Sequence, residues 1–447
     1  MTDVLRPAVL REDAPVGAAI TTAVADTDGR RRPVQIPKSR YTSPEFFARE
    51  LEEMWTRTWH IACSVDHVAE TGDVYEYRFG PYSVIVVRGD DDRLRAFQNV
   101  CRHRGNSLCT GAAHGLGELR CPYHRWSWDL QGRLREVPSR KGFGVLRNDE
   151  LPLVEAAAGT WGPIVFVNLD RAAMPLEEYI EGVPADAAWL GPEDFRCTAM
   201  VSTTVQVNWK VIVDGFSETY HVQGIHPEML ASIDDINAAQ TVWGHTSKSE
   251  QDYGVPSPRL GGRATAQEVW DSFVVTQGQR MGVTEPGPMP AVGRDQTVTD
   301  LIASGIRATQ AARGVDLSAF DTRAMLMLNQ YNLFPNATVL ISPDLLSVLL
   351  GRPGTRVDEA DFVLLHFERA AGPDAPRARP FDVVLPPEHA DFGMVLSQDY
   401  RILEGMQRGL RQPGLTHLSL SGEECRVINT HRNLERYLRI TPTEIIE

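Results

Sequence analysis

The stretch running from Cys101-Arg102-His103-Arg104-Gly105 to Cys121-Pro122-Tyr123-His124-Arg125-Trp126 decides how this chain is read. Each end supplies one thiol and one imidazole at a spacing that a single tight loop can close. Gly105 and Pro122 suit such turns, whose amides can point at an anion held between them. Trp126 and Trp128 follow closely enough to shield one side. Outward from these loops, Tyr82-Ser-Val-Ile-Val-Val87 is a β-rich run, Gly89-Asp-Asp-Asp92 a turn, and Leu94 to Val100 its hairpin partner. Pro163-Ile-Val-Phe-Val-Asn-Leu169 is a later strand. The paired loops therefore sit in an all-β block, by itself a small sandwich or barrel.

Two thiolates and two imidazoles are the ligand set of a Rieske [2Fe-2S] centre, in which two histidines hold one iron and two cysteines the other. Cys101, His103, Cys121 and His124 are the candidate ligands. The competing reading is a structural zinc site. Zinc fingers pair cysteine with cysteine and histidine with histidine, whereas here the types are mixed within each loop. Histidine ligation raises the potential of such a cluster above that of all-cysteine ferredoxins, which suits a relay. His114, between the loops, reads as a surface histidine rather than a further ligand.

A second set follows. Asn208-Trp-Lys-Val-Ile-Val-Asp214-Gly-Phe-Ser-Glu218-Thr-Tyr220-His221 has the periodicity of one helix, with Asp214, Glu218 and His221 on a shared face. His226 follows His221 by five residues, past Gly224, where the helix is expected to break, and Pro227 fixes the exit. Two histidines so placed can occupy adjacent positions on one metal. The third ligand must come from elsewhere, and Asp399, in Gln398-Asp399-Tyr400, is the candidate. Its alternative role is that of an acid favouring a helix N-terminus. Two histidines and a carboxylate make the facial triad of a mononuclear Fe(II) site with positions left open for O2. Glu218 is not needed as a ligand and can orient His221 through a hydrogen bond.

Composition bounds the rest. The chain has 447 residues, a formal net charge of −14, 42% hydrophobic and 23% charged residues. That is ordinary for a globular protein and argues against a nucleic-acid-binding surface. No run reaches the length of a membrane span. Val16 to Ala25 is broken by threonines and follows Arg11-Glu12-Asp13, which speaks against a secretory signal. Six cysteines in so long a chain are no disulfide scaffold, so a cytoplasmic location is expected.

Residues 1–40 read as a flexible arm. Ser43 to Trp59 reads as an amphipathic helix with Ser43 as N-cap and Pro44 at its first position. Residues 254–295, rich in Gly and Pro, read as an irregular loop. Asn332 to Ile341, Ser347 to Leu350 and Asp361 to Phe367 read as strands of a meander, and Ser397 to about Arg411 as a helix ended by Pro413-Gly414.

At this point the chain, over residues 45 to 435, resembles the catalytic (α) subunits of Rieske non-haem iron aromatic ring-hydroxylating oxygenases. The resemblance rests on Cys101-x-His103-Arg104-Gly105, Cys121-Pro-Tyr-His124-x-Trp126, Asn208-Trp209-Lys210, Glu218-x-Tyr220-His221-x4-His226, and Gln398-Asp399 with Glu404. It implies an α+β architecture: an all-β Rieske domain (41–175, with its leading helix) inserted next to a helix-grip-like catalytic domain (176–447) with an antiparallel sheet covered by helices. It implies Asp399 as third iron ligand. It further implies a head-to-tail homotrimer, with or without a β subunit, in which Glu218 bridges the mononuclear iron to the neighbouring chain's cluster. Asp214, Tyr220 and Asn208 join Glu218 as candidate catalytic residues. Electrons are expected from NAD(P)H through a reductase or ferredoxin, with O2 and a small molecule as substrates. Most ring-hydroxylating members carry Asp at the position of Glu218; Glu there is familiar from members acting on quaternary ammonium compounds.

The substrate is expected to be aromatic or otherwise hydrophobic, with Phe216, Met325, Leu326, Met327 and Leu333 as pocket candidates and no evident aromatic cage for a quaternary ammonium group. The alternatives are oxidative demethylation of such a compound, a non-catalytic Rieske carrier, and a zinc protein with a hydrolytic His-His-Asp site.

Overall fold

The computed structural model of the protein describes residues 33–372 and 374–440. Its architecture is α+β, an all-β domain beside a larger sheet covered by helices, as expected. In the β domain, strands His60–Ser64, Ile164–Asn168, Glu155–Trp161, Leu94–Gln98, Tyr82–Arg88, Val74–Phe79 and Ala112–Ala113 form one sheet in that spatial order. A three-stranded sheet, Leu119–Arg120, Ser127–Trp128 and Leu134–Glu136, lies beside it. The expected hairpin forms with Val84 opposite Gln98 and Arg88 opposite Leu94.

The hairpin also explains why its first strand is apolar without alternation. Successive side chains of a strand face opposite ways, and here both faces are covered. Val84 and Val86 join the core shared with the catalytic domain, including Trp209, Val211 and Phe362. Ile85 and Val87 face the cluster loops and pack with Cys101, Cys121, Trp126 and Trp128.

The catalytic domain is an eight-stranded sheet in the order Ala239–Val242, Thr246–Asp252, Met327–Leu333, Ala337–Ser342, Leu345–Pro353, Ala360–Arg369, Phe195–Val205 and Phe381–Val384. It is an antiparallel meander except at its last pair, where Phe381–Val384 runs parallel to Ala199–Ser202. The helix Trp209–Gly215 lies against it at Gly351, where a β-carbon would stand 2.7 Å from the Trp209 carbonyl oxygen. The helices Met394–Leu410 and Cys425–Leu438 complete the cover.

Several expectations need correction. Of the supposed arm, 33–40 lie among the described residues. There Val34–Pro37 is a strand paired with His417–Leu420, because burying Val34 and Ile36 outweighs the polar look of the segment. Residues 1–32 lie outside the described residues. Ser43 does cap a helix through the Phe46 amide, but the α-helix is Pro44–Arg49 and wider π-type turns carry it only to Trp55. The supposed loop 254–295 holds the helix Ala266–Gln277, started by a reciprocal cap between Thr265 and Glu268 that the flanking glycines masked. Asn332 to Ile341 is not continuous: two strands meet at a turn containing a cis Phe334–Pro335 bond. The late helix starts at Met394, so Asp399 lies in its second turn.

Candidate metal centres

The two cysteine–histidine loops have the same backbone. The Cys101 carbonyl accepts from the Gly105 amide and the Cys101 amide donates to the Asn106 carbonyl; Cys121 repeats this with Arg125 and Trp126. Both loops turn through a left-handed residue at the fourth position after cysteine, Gly105 at φ +78° and Arg125 at φ +64°. Glycine takes that conformation freely, whereas arginine is strained there, by about 1 kcal/mol or more. The motif spacing had pointed to Gly105 but not to Arg125.

Both cysteines are buried, while His103 and His124 are partly exposed, with ring centroids 4.7 Å apart. His103 stacks on Trp126 at 5.0 Å and 5° between planes, the shielding expected of that tryptophan. The Nδ1 of His103 is buried without a hydrogen-bond partner. A buried imidazole nitrogen with no hydrogen-bond partner has its lone pair free for a metal. These four residues fit a cluster larger than one ion. Among the described residues, only His221, His226 and Asp399 bring three such ligand atoms within 4.8 Å of one another. His114 is held by Asp73 at 3.1 Å, away from this role.

At the second centre the helix expected over 208–221 is broken. It ends at Gly215, and a separate short helix occupies Val222–Ile225. The cause is tertiary. Asn332 Nδ2 donates to the Phe216 carbonyl at 3.0 Å, and Gln330 Nε2 donates to the same oxygen, removing it from the helical ladder. The break comes before Gly224, not at it. Asp214 therefore shares no helix face with His221, although it and Glu218 border one groove. It accepts from the Tyr41 hydroxyl at 2.5 Å instead. Asn208 is also remote: it caps the helix through the Lys210 amide and donates to the Val357 carbonyl. Tyr220 is half exposed at a cavity mouth.

His221, His226 and Asp399 come together although 173 residues separate the last two. Asp399 Oδ1 lies 2.9 Å from His226 Nε2 and 3.6 Å from His221 Nε2. Each ring is gripped by its other nitrogen. Glu218 Oε1 is 2.6 Å from His221 Nδ1, and Gln398 Oε1 is 2.7 Å from His226 Nδ1. Gln398 is itself oriented, since its Nε2 donates to Glu228. The Nδ1–H tautomer is thereby favoured on both rings, which turns both Nε2 lone pairs toward Asp399 and one shared point. Burial opposes a charge on His226, but Asp399, Gln398 and Glu228 outweigh it and hold its pKa above the usual range. Three convergent ligands with open space beside them fit one Fe(II) ion. The supporting residue Glu228 left no signal in the sequence beyond its place after Pro227.

Two cavities share Gly215, Phe216, Glu218, His221 and Asp399. The outer, of about 360 Å³, adds Tyr220, Ile402 and Met406; the inner, of about 90 Å³, adds residues of the sheet. Of the predicted pocket residues only Phe216 lines either. Met325 and Leu326, in the short helix Thr322–Leu326, and Leu333, at the end of the strand Met327–Leu333, are buried in the core instead. Met327 lines neither cavity.

Both parts of the chain resemble known proteins. Residues 187–440 match the family described as the ring hydroxylating alpha subunit (catalytic domain), and residues 58–152 match the Rieske [2Fe-2S] domain. A glycine betaine monooxygenase oxygenase subunit from Chromohalobacter salexigens is 30% identical over 223 residues, 49% of each chain. The chain spans about half the length of the curated relatives it matches. The crystal structure of a quaternary ammonium Rieske monooxygenase superposes with a TM-score of 0.65 at 18% identity, covering 91% of this chain and 96% of that one. Naphthalene 1,2-dioxygenase with indole bound gives 0.64 at 16%, covering 91% and 92%. Among the described residues, no helix is long and apolar enough to cross a membrane.

Proposed function

The chain belongs to the ring-hydroxylating α-subunit family and carries a Rieske [2Fe-2S] domain, and from that premise we propose that it is the terminal oxygenase of a multicomponent system, placing oxygen from O2 into a small, largely apolar substrate. The single observation that supports this most is the convergence of two pre-oriented histidines and Asp399 beside a cavity, in a chain that also holds a complete cluster cradle. When bound, the cluster stores an electron delivered from NAD(P)H by a reductase or ferredoxin, and the ferrous ion binds and reduces O2. The chain's own part is positional. Cys101, His103, Cys121 and His124 hold the cluster; His221, His226 and Asp399 hold the iron. Glu218 and Gln398 fix the imidazole tautomers, and the apolar cavity walls exclude water. We place the domain boundary near residue 175.

We propose a head-to-tail homotrimer, the assembly the family resemblance implies, and complementary charge supports it. Exposed Arg102, Arg104 and Arg125 rim the cluster histidines. A groove of about 290 Å³ beside Glu218 is lined by Asp214 and Glu424, with Leu410, Leu418 and Leu420 beneath. Burial and the nearby Glu218 and Asp214 charges push the Glu424 pKa up, so a cationic neighbour would relieve that groove. In this assembly Glu218 bridges the two metal sites across the interface.

The test is direct. Anaerobically purified protein is expected to be reddish-brown, to contain about three irons and two acid-labile sulfurs per chain, and to consume O2 with a surrogate reductase, NADH and a hydroxylatable substrate. Colourless protein containing zinc would end the proposal. A second reading, oxidative N-demethylation of a quaternary ammonium compound, is favoured by the glycine betaine relative and by Glu at position 218. Formaldehyde release from N-methyl substrates separates it from ring hydroxylation.

A further inference from the structure

A chain of side-chain amides runs from the break at Phe216 into the inner cavity. The Phe216 carbonyl can only accept, so the Gln330 group donating to it is its NH2. Gln330 Oε1 then faces away and accepts from Gln251 Nε2 at 2.8 Å. Both amide orientations follow from that one carbonyl. The last member, Gln251, lines the cavity and is 5% exposed. Its Oε1 has no hydrogen-bond partner among the described residues. A carbonyl oxygen so placed, on the side of the chamber walled by Leu328, Leu340 and Phe216 and across from the polar groups of Glu218, His221 and Asp399, can accept from a donor on a bound molecule.

We propose that Gln251 determines specificity by accepting a hydrogen bond from an O–H or N–H group of the substrate. This rests on the reading above that the chamber beside His221, His226 and Asp399 receives the substrate. Size narrows the class further. A cavity of roughly 150 Å³ takes a benzene ring, and this one measures about 90 Å³. The group that reaches Gln251 is therefore small, and the rest of a larger molecule would lie in the outer cavity, which shares Glu218, His221 and Asp399. No lysine or arginine lines either cavity among the described residues, so a carboxylate has no cationic partner there. A fully alkylated ammonium group brings no donor and leaves Gln251 unsatisfied. The substrate class is a small neutral molecule, or a neutral end of a larger one, bearing a hydroxyl or N–H donor.

The test uses holoenzyme loaded with both metals and two isosteric probes, pyrrole, which has an N–H, and furan, which does not. Paramagnetic broadening of the probes' proton resonances by the ferrous ion reads occupancy beside the metal. Pyrrole is expected to bind about ten- to a hundredfold tighter than furan, with tetramethylammonium weaker than pyrrole. Gln251→Leu should abolish the preference without changing iron content. Broadening by both probes with equal affinity in the wild type overturns the role of Gln251 and leaves the substrate site standing. No broadening by any probe overturns both. The wild-type comparison needs no variant to fold.

Discussion

Glu218 holds His221 at two points, with one carboxylate oxygen 2.6 Å from the ring Nδ1 and the other accepting the His221 backbone N–H at 3.0 Å. Ring and backbone are fixed by one side chain three residues earlier, so the direction of Nε2 does not depend on the iron to set it. This arrangement forms because the helix has already ended. The broken segment 216–221 lets a carboxylate fold back on the histidine that follows it.

Replacing Glu218 is therefore expected to loosen His221 and remove the proposed bridge, while both metal sites persist. In Glu218→Ala, single-turnover oxidation of the reduced cluster should slow by at least about 10–100-fold, with iron content close to wild type. Stopped-flow absorbance of the cluster reads this, and wild-type speed would disprove the bridge.

Asp399→Ala removes the only carboxylate of the triad. The cluster colour should remain, iron should fall from about three to about two per chain, and turnover should vanish. Iron analysis with the visible spectrum checks both halves; activity retained at full iron content would refute the ligand role.

The cluster loop carries an acid-sensitive support. Glu76 accepts from the Gly111 amide, the Ser83 hydroxyl, Asn99 Nδ2 and Arg78 Nε, and Asn99 in turn accepts from the Leu108 and Cys109 amides. Burial alone would raise the Glu76 pKa, but Arg78, the Gly111 amide and Ser83 outweigh it and hold it below the ordinary range. A carboxyl depressed in the folded state stabilises above its unfolded pKa, near 4.3 for Glu, and that stability is lost as pH falls through the lower folded value. Cluster bleaching on acidification should thus begin below about pH 4.3, and Glu76→Gln should bleach more readily at neutral pH with a flatter acid profile. An unchanged profile would disprove this support.

Lys210 and Glu50 form a fully buried pair at 2.6 Å, and Glu50 also accepts from Trp209 Nε1. Burial pushes the two pKa values toward neutrality and each partner's charge opposes that. Lys210→Met leaves Glu50 alone and should cost about 3–5 kcal/mol. The double variant with Glu50→Leu should recover most of it. Chemical denaturation of the four proteins forms the cycle, and additive losses would show that the pair does not act as a unit.

The sequence by itself determined the local chemistry. Cys-x-His, Cys-x-x-His and His-x4-His are spacings of a few residues, and side chains that close together stay close in any fold that permits a loop. The hairpin at 82–98 and the sheet meander were legible for a similar reason, since strand patterning and turn residues act between neighbours. What only the tertiary structure decided was everything that long-range contact imposes. Asp399 became a partner of His226 across 173 residues because the helix Met394–Leu410 packs there. The helix at 209 stopped at Gly215 because amides from a distant strand took the Phe216 carbonyl. The segment at Val34 became a strand because Leu420 offered an edge. Helical periodicity says which residues would share a face if a helix continued; whether its carbonyls are claimed by another part of the chain is settled only when that part arrives.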